Sequence, residues 1–168
     1  MSYTQFRNRV EGLALGLLAV DPPPAVFSAR GIPWDWVAEV AAAASGLTWD
    51  AAGLTVPSEV LGGSRFNDED GRGPYHHREQ LVAAATPFTA GLDHGEMMAR
   101  LRRLNVQLGW DHDTVVDLPL AQLGETPVRA ALWSALYAGA HAVLQPSIAW
   151  DASPFQAFWT PLVSPPED

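Results

Sequence analysis

The stretch that most constrains this chain is Thr126–Gln145, in which apolar side chains far outnumber polar ones. Thr126 suits a helix N-cap, and Pro127 suits the first turn because no N–H is needed there. Pro146 prevents the helix from continuing. One apolar face recurs at helical spacing, and it comprises Val128, Leu132, Ala135, Leu136 and Val143. We therefore predict a buried central helix over about residues 127–145.

The opposite side of this predicted helix carries larger and more polar groups. Trp133, Tyr137 and His141 lie there at spacings that bring them close together on a helix surface. We predict that these three residues line a ligand pocket or an interface. Gly139 lies within the same predicted helix, where it would let a neighbouring backbone approach closely.

Helical spacing also marks several other segments: residues 3–20, residues 36–44, the segment after Pro74, and the segment from Asp93 to Leu108. The alternating stretches Leu54–Val56 and Thr114–Asp117 are too short to predict a sheet. We therefore expect an all-α fold, a single compact domain of five or six helices spanning residues 1–168. Residues 62–74 are predicted to form a mobile loop, and residues 163–168 a frayed tail.

Composition excludes several classes of site and of partner. The chain has 168 residues, a net charge of −9, no lysine and no cysteine. Lysine-dependent phosphate loops, Schiff bases, thiolate zinc sites and cysteine nucleophiles are therefore excluded. The acidic charge argues against nucleic-acid partners and against anionic membrane surfaces. Without a signal-peptide pattern or a disulfide, the chain is expected in the cytoplasm.

Histidines and aspartates suggest one alternative chemistry. His112 and Asp113 are adjacent, and both residue types ligate divalent metals. His76 and His77, or His141, could complete a metal site for a metal-dependent hydrolase. The other interpretation is that Asp111 or Asp113 caps a helix and that His112 is solvated. A divalent metal is expected under this alternative alone, and the cofactor is otherwise unknown.

The dipeptide Trp-Asp recurs at four places, namely residues 34–35, 49–50, 110–111 and 150–151. Asp would cap a helix, and the preceding Trp would pack on the residue four beyond the cap. For the last three pairs that residue is Leu54, Val115 or Phe155, whereas Trp34 would face Glu39, which does not fit. The alternative is a tryptophan-lined ligand pocket. Arg100, Arg102 and Arg103 lie off the apolar stripe of their helix and are expected in solvent.

Tryptophan content favours one class of function. Seven tryptophans exceed what a core of this size needs, and tryptophan is enriched at the centres of protein interfaces. We therefore predict an interaction or assembly module without catalysis, with a protein partner or a homo-oligomer. The alternatives are the metal-dependent hydrolase and a small-molecule-binding helical protein.

Overall fold

The computed structural model describes residues 2–19, 26–27, 33–49, 82–89 and 91–160. The chain divides into two compact units. The first comprises Met1–Thr89 with Asp93–Gly95, and the second comprises Ala90–Leu92 with Glu96–Asp168. The predicted loop at 62–74 and the predicted tail at 163–168 lie outside the described residues.

Two helices form the core of the first unit. Helix α1 spans Tyr3–Ala19, helix α2 spans Pro33–Ala44, and the two pack against each other. Helical spacing in residues 3–20 predicts one inward face, comprising Phe6, Val10, Leu13, Ala14 and Leu17. Burial of the last four confirms this face, whereas Phe6 is half-buried. Phe6 at the start of α1 stacks on Trp36 with ring centroids 6.1 Å apart.

Four short strands lie in the described residues before His94. Strand β1 (Val26–Phe27) pairs in parallel with β2 (Thr48–Trp49). Strand β3 (Pro87–Thr89) and strand β4 (Leu92–Asp93) form another two-stranded sheet.

The second unit contains a β–α–β arrangement. Helix α3 (His94–Leu108) precedes strand β5 (Val115–Pro119), helix α4 (Thr126–Ala138) and strand β6 (His141–Gln145). Strands β5 and β6 pair in parallel, with Val115 opposite His141 and Pro119 opposite Gln145. Parallel neighbours need a crossover connection, and α4 provides it. Two short 3₁₀ segments lie at Leu120–Gln122 and Ser153–Phe155.

The prediction of an all-α fold with five or six helices is wrong. The described residues contain four α-helices and three two-stranded sheets, so the chain is of mixed α/β class. The alternation at Thr114–Asp117 was judged too short to predict a sheet, yet it falls largely within β5. A two-stranded parallel sheet needs few residues from each strand, and its strands are far apart in sequence, so local alternation is a weak signal for it.

The predicted central helix over 127–145 is also wrong in its second half. Helix α4 ends at Ala138, because Gly139 adopts the left-handed conformation with φ of 75°. Its N–H donates to the carbonyl oxygens of Ala135 and Leu136, which closes the helix. The residues after Gly139 leave the helix and form β6. At the other end the N-cap is Glu125 rather than Thr126, and Pro127 lies in the first turn as predicted.

The two units repeat one order of elements. Each has a helix, a strand, a second helix and a second strand, and in each the two strands are parallel. In each unit the second helix is followed by a glycine with positive φ, Gly46 or Gly139, two residues before the second strand begins. Among the described residues, no helix is both long enough and apolar enough to cross a bilayer.

Candidate interaction surface

The β5–β6 sheet has one covered face and one open face. Successive side chains of a strand point to opposite faces, and directly paired residues share a face. Val116 and Leu118 are buried and lie on the inner face, on the side of α4. Ala142 and Leu144 share the inner face, where Ala142 is exposed. On the opposite face Pro119 is buried, and the other five positions form what we call the outer face, which consists of Val115, Asp117, His141, Val143 and Gln145.

Two valines of the outer face are exposed to solvent. Val115 is 63% exposed and Val143 is 39% exposed. Parallel sheets in proteins are normally covered on both faces, because their strands are apolar on both sides. An exposed apolar face on a parallel sheet is therefore unusual for a surface that has no partner, and it identifies the outer face as the candidate site.

Two polar side chains of the outer face, Asp117 and Gln145, are joined by a hydrogen bond. The Gln145 side-chain amide donates a hydrogen bond to Asp117 Oδ1 over 2.9 Å. This bond spans the two strands and occupies one oxygen of the carboxylate. His141 lies opposite Val115 at the other end and is exposed. Apolar valines thus lie among groups that can donate or accept hydrogen bonds at a rim.

A tight turn precedes β5 and fixes its first residue. Asp111 Oδ1 accepts from the Thr114 hydroxyl over 2.9 Å and from the Asp113 backbone N–H over 3.0 Å. These bonds, the Thr114 hydroxyl foremost, hold the pKa of the Asp111 carboxyl below its ordinary value of 3.8. Asp111 therefore shapes a turn that leads into β5 and not the helix that it was expected to cap, whereas His112 is exposed as expected.

The predicted metal ligands are only partly within the described residues. His112 Nε2 and Asp113 Oδ2 lie 3.4 Å apart, with both side chains more than four-fifths exposed. Where the structure describes the chain, no group of three or more potential metal-ligating residues converges. His76 and His77 lie outside the described residues. The metal-dependent hydrolase therefore stays a prediction.

The predicted pocket or interface of Trp133, Tyr137 and His141 is divided between two elements. Trp133 is buried in α4, whereas Tyr137 on the last turn of α4 is 37% exposed. His141 lies on β6, beyond the end of the helix. The backbone N–H of His141 donates to the Thr114 carbonyl oxygen over 2.8 Å, so this residue belongs to the sheet. His141 alone of the three lies on the outer face.

Aromatic residues near the end of the described chain pack on one another. Trp150 stacks on Phe155 with centroids 5.5 Å apart, as the Trp-Asp pattern predicted. Asp151 Oδ1 accepts from the Ser153 backbone N–H, which lowers the pKa of the Asp151 carboxyl. Trp110 also contacts Phe155, at 5.7 Å. The pattern had predicted Val115 as its neighbour.

Residues 150–160 form what we call the aromatic segment. Two arginines anchor it to the helices of the second unit. The Arg129 guanidinium lies 4.8 Å from the ring centre of Trp159, and the indole N–H of Trp159 donates to the Thr126 carbonyl oxygen. Arg100 donates to the carbonyl oxygens of Phe158 and Thr160 over 2.6 Å each. The expectation that Arg100 lies in solvent is wrong, because its side chain is only 7% exposed.

Sequence reasoning missed the outer face as a site. The only available signal was the alternation beginning at Thr114, which predicts exposure of Val115 and Asp117 once β5 is recognised as a strand. Comparison with known protein families, with curated proteins and with solved structures finds no match for this chain. The chemistry of the outer face is therefore the basis for a functional proposal.

Proposed function

We propose that the protein is an interaction or assembly module without catalysis, and that the outer face of the β5–β6 sheet is its binding surface. The observation that carries the proposal is the exposure of Val115 and Val143 on a parallel sheet. Burial of apolar surface drives most protein association, at roughly 25 cal/mol for each Å² removed from water. The partner is accordingly another polypeptide with an apolar surface.

The charge of the outer face supports a polypeptide partner. Its single formal charge is Asp117, which already accepts a hydrogen bond from Gln145. Asp117 lies directly opposite Val143 and keeps its negative charge, so the partner is expected to place a hydrogen-bond donor or a cation against it. A cytoplasmic location stays a prediction from composition.

Photocrosslinking from the outer face tests the proposal. A benzophenone amino acid replaces Val143 in the intact chain, which is expressed in the cells that make it. The matched control carries the same group at Val106, an 81% exposed valine on α3. We expect a discrete higher-mass adduct from position 143 and none from position 106. No adduct from position 143, or the same adducts from both positions, would overturn the proposal.

A further inference from the structure

The edge of β6 that faces away from β5 is open. His141, Ala142 and Val143 are exposed, Leu144 and Gln145 are half-buried, and in the described part of the chain β5 is the neighbour of β6 in the sheet. An exposed edge offers backbone N–H and C=O groups to another strand. Proteins commonly protect such edges with charged side chains or proline, yet residues 141–145 contain no Asp, Glu, Arg or Pro. This edge can therefore accept a further strand.

The hydrogen bonds to β5 determine which backbone groups lie at the open edge. The His141 N–H donates to the Thr114 carbonyl oxygen, so the backbone of His141 faces β5. Backbone direction alternates along an extended strand, so Val143 and Gln145 also face β5. Ala142 and Leu144 consequently direct their N–H and C=O groups to the open edge.

From these directions we infer that two copies of the chain pair through β6, antiparallel, around a two-fold axis at Val143. The inference rests on the proposed function and names a second copy of this chain as the partner. In this register Ala142 lies opposite Leu144 of the second copy, and each such pair exchanges two N–H···O=C bonds. The axis generates two such pairs, so four backbone hydrogen bonds join the copies. Two-fold pairing of this kind is the commonest symmetry of homo-oligomers.

The charge of β6 is compatible with contact between two copies. A net charge of −9 opposes the approach of two copies. Strand β6 carries no acidic side chain, and the proposed register places His141 opposite Gln145 and Val143 opposite its own copy. Two acidic chains therefore meet along this edge without bringing carboxylates face to face. The outer faces of both copies also join into one apolar surface.

Disulfide trapping tests the register. The chain has no cysteine, so Val143→Cys introduces a single thiol. At a non-hydrogen-bonded antiparallel pair the Cα atoms are about 4.5 Å apart, within the range that a disulfide spans. We expect mild oxidation to convert the Val143→Cys variant into a disulfide-linked dimer, while the Val106→Cys control stays monomeric. Equal trapping of both variants would overturn the inference.

Sedimentation analysis of variants at Ala142 tests the role of the open edge. Ala142→Pro removes an N–H that the β5–β6 ladder does not use, and proline is tolerated on edge strands. The wild type and the Ala142→Val control are expected at twice the chain mass of 18.1 kDa. The Ala142→Pro variant is expected at the single-chain mass, with circular dichroism unchanged. A monomeric wild type, or a dimeric Ala142→Pro variant, would contradict the pairing.

The outcomes separate the inference from the proposed function. If crosslinking from position 143 captures a different protein and the purified chain is monomeric, the outer face is a binding surface and the self-pairing is refuted. If position 143 yields no adduct in cells and no disulfide dimer in solution, both proposals fail.

Discussion

The imidazole Nε2 of His94 lies 3.1 Å from the carbonyl oxygen of Ala43, fifty-one residues earlier in the chain. The other ring nitrogen, Nδ1, lies 2.8 Å from the Thr86 carbonyl oxygen. Ala43 belongs to the last turn of α2, where carbonyl oxygens have no partner within the helix. His94 thus links the end of α2 to the segment before β3, and its ring also packs against Phe88.

Removal of the His94 ring is expected to destabilise the protein. The His94→Ala variant loses a hydrogen bond to a helix-terminal carbonyl together with the contact to Phe88, so the free energy of unfolding should fall by about 2 kcal/mol. Urea denaturation followed by circular dichroism measures the change. The control is His112→Ala, at an exposed histidine, where a change within about 0.5 kcal/mol is expected. Equal stability of the two variants would contradict the role given to His94.

Replacing Gly139 by alanine changes the free energy of unfolding. The sign of that change differs between a glycine that ends a helix and one inside a helix. Alanine in the left-handed conformation costs about 1–2 kcal/mol, so Gly139→Ala should lower the free energy of unfolding. Within a continuous helix the same change would raise it by about 1 kcal/mol. The nearest atom to an added Cβ is His112 Cβ at 3.8 Å, so the cost is conformational and not steric. Gly139→Asn should cost less, because asparagine tolerates this conformation.

Arg100 offers a test of the anchoring of the aromatic segment. Its guanidinium donates two short bonds to carbonyl oxygens, while its second terminal nitrogen, Nη2, is buried without a hydrogen-bond partner in the described structure. Two hydrogen bonds from a charged donor outweigh the cost of the unpaired Nη2 amino group, so Arg100→Met should lower the free energy of unfolding by about 1–2 kcal/mol. Thermal denaturation checks this against Arg103→Met, at an exposed position of the same helix. Greater stability of Arg100→Met would show that the buried charge costs more than its bonds contribute.

The lowered pKa of the Asp111 carboxyl makes the free energy of unfolding depend on pH in acid. Its pKa is lowered in the folded state, so its contribution is present above the ordinary value of 3.8 and is lost as the pH falls through the folded pKa. Titration of the Asp111 carboxyl by NMR should give a midpoint below 3.8. Thr114→Val removes the hydroxyl that contributes most and should move the midpoint upward. A midpoint at or above the ordinary value in the wild type would refute this.

The helix faces and several helix ends could be predicted from sequence. The inward residues of α1 follow from apolar spacing. A glycine directly after a helical pattern favours a helix end, and Gly46 and Gly109, which follow α2 and α3 closely, have positive φ angles. These features depend on residues within one or two turns of each other. A local pattern therefore contains the information that determines them.

The strands and the long-range contacts could not be predicted in the same way. The sequence of β6 suits a helix as well as a strand, and the choice depends on the left-handed conformation of Gly139 and on pairing with β5. Burial of Arg100 depends on carbonyl oxygens fifty-eight and sixty residues away. The outer face was missed for the same reason, since its residues share a face only after β5 and β6 pair.

The dependence of Arg100 on Phe158 and Thr160 has a consequence for synthesis of the chain. A ribosome makes α3 long before it makes the carbonyl oxygens that Arg100 binds. During translation this guanidinium must therefore remain hydrated, and α3 cannot complete its packing until residues 158–160 have left the exit tunnel. A chain that stops before Phe158 would therefore leave the Arg100 guanidinium without these two acceptors.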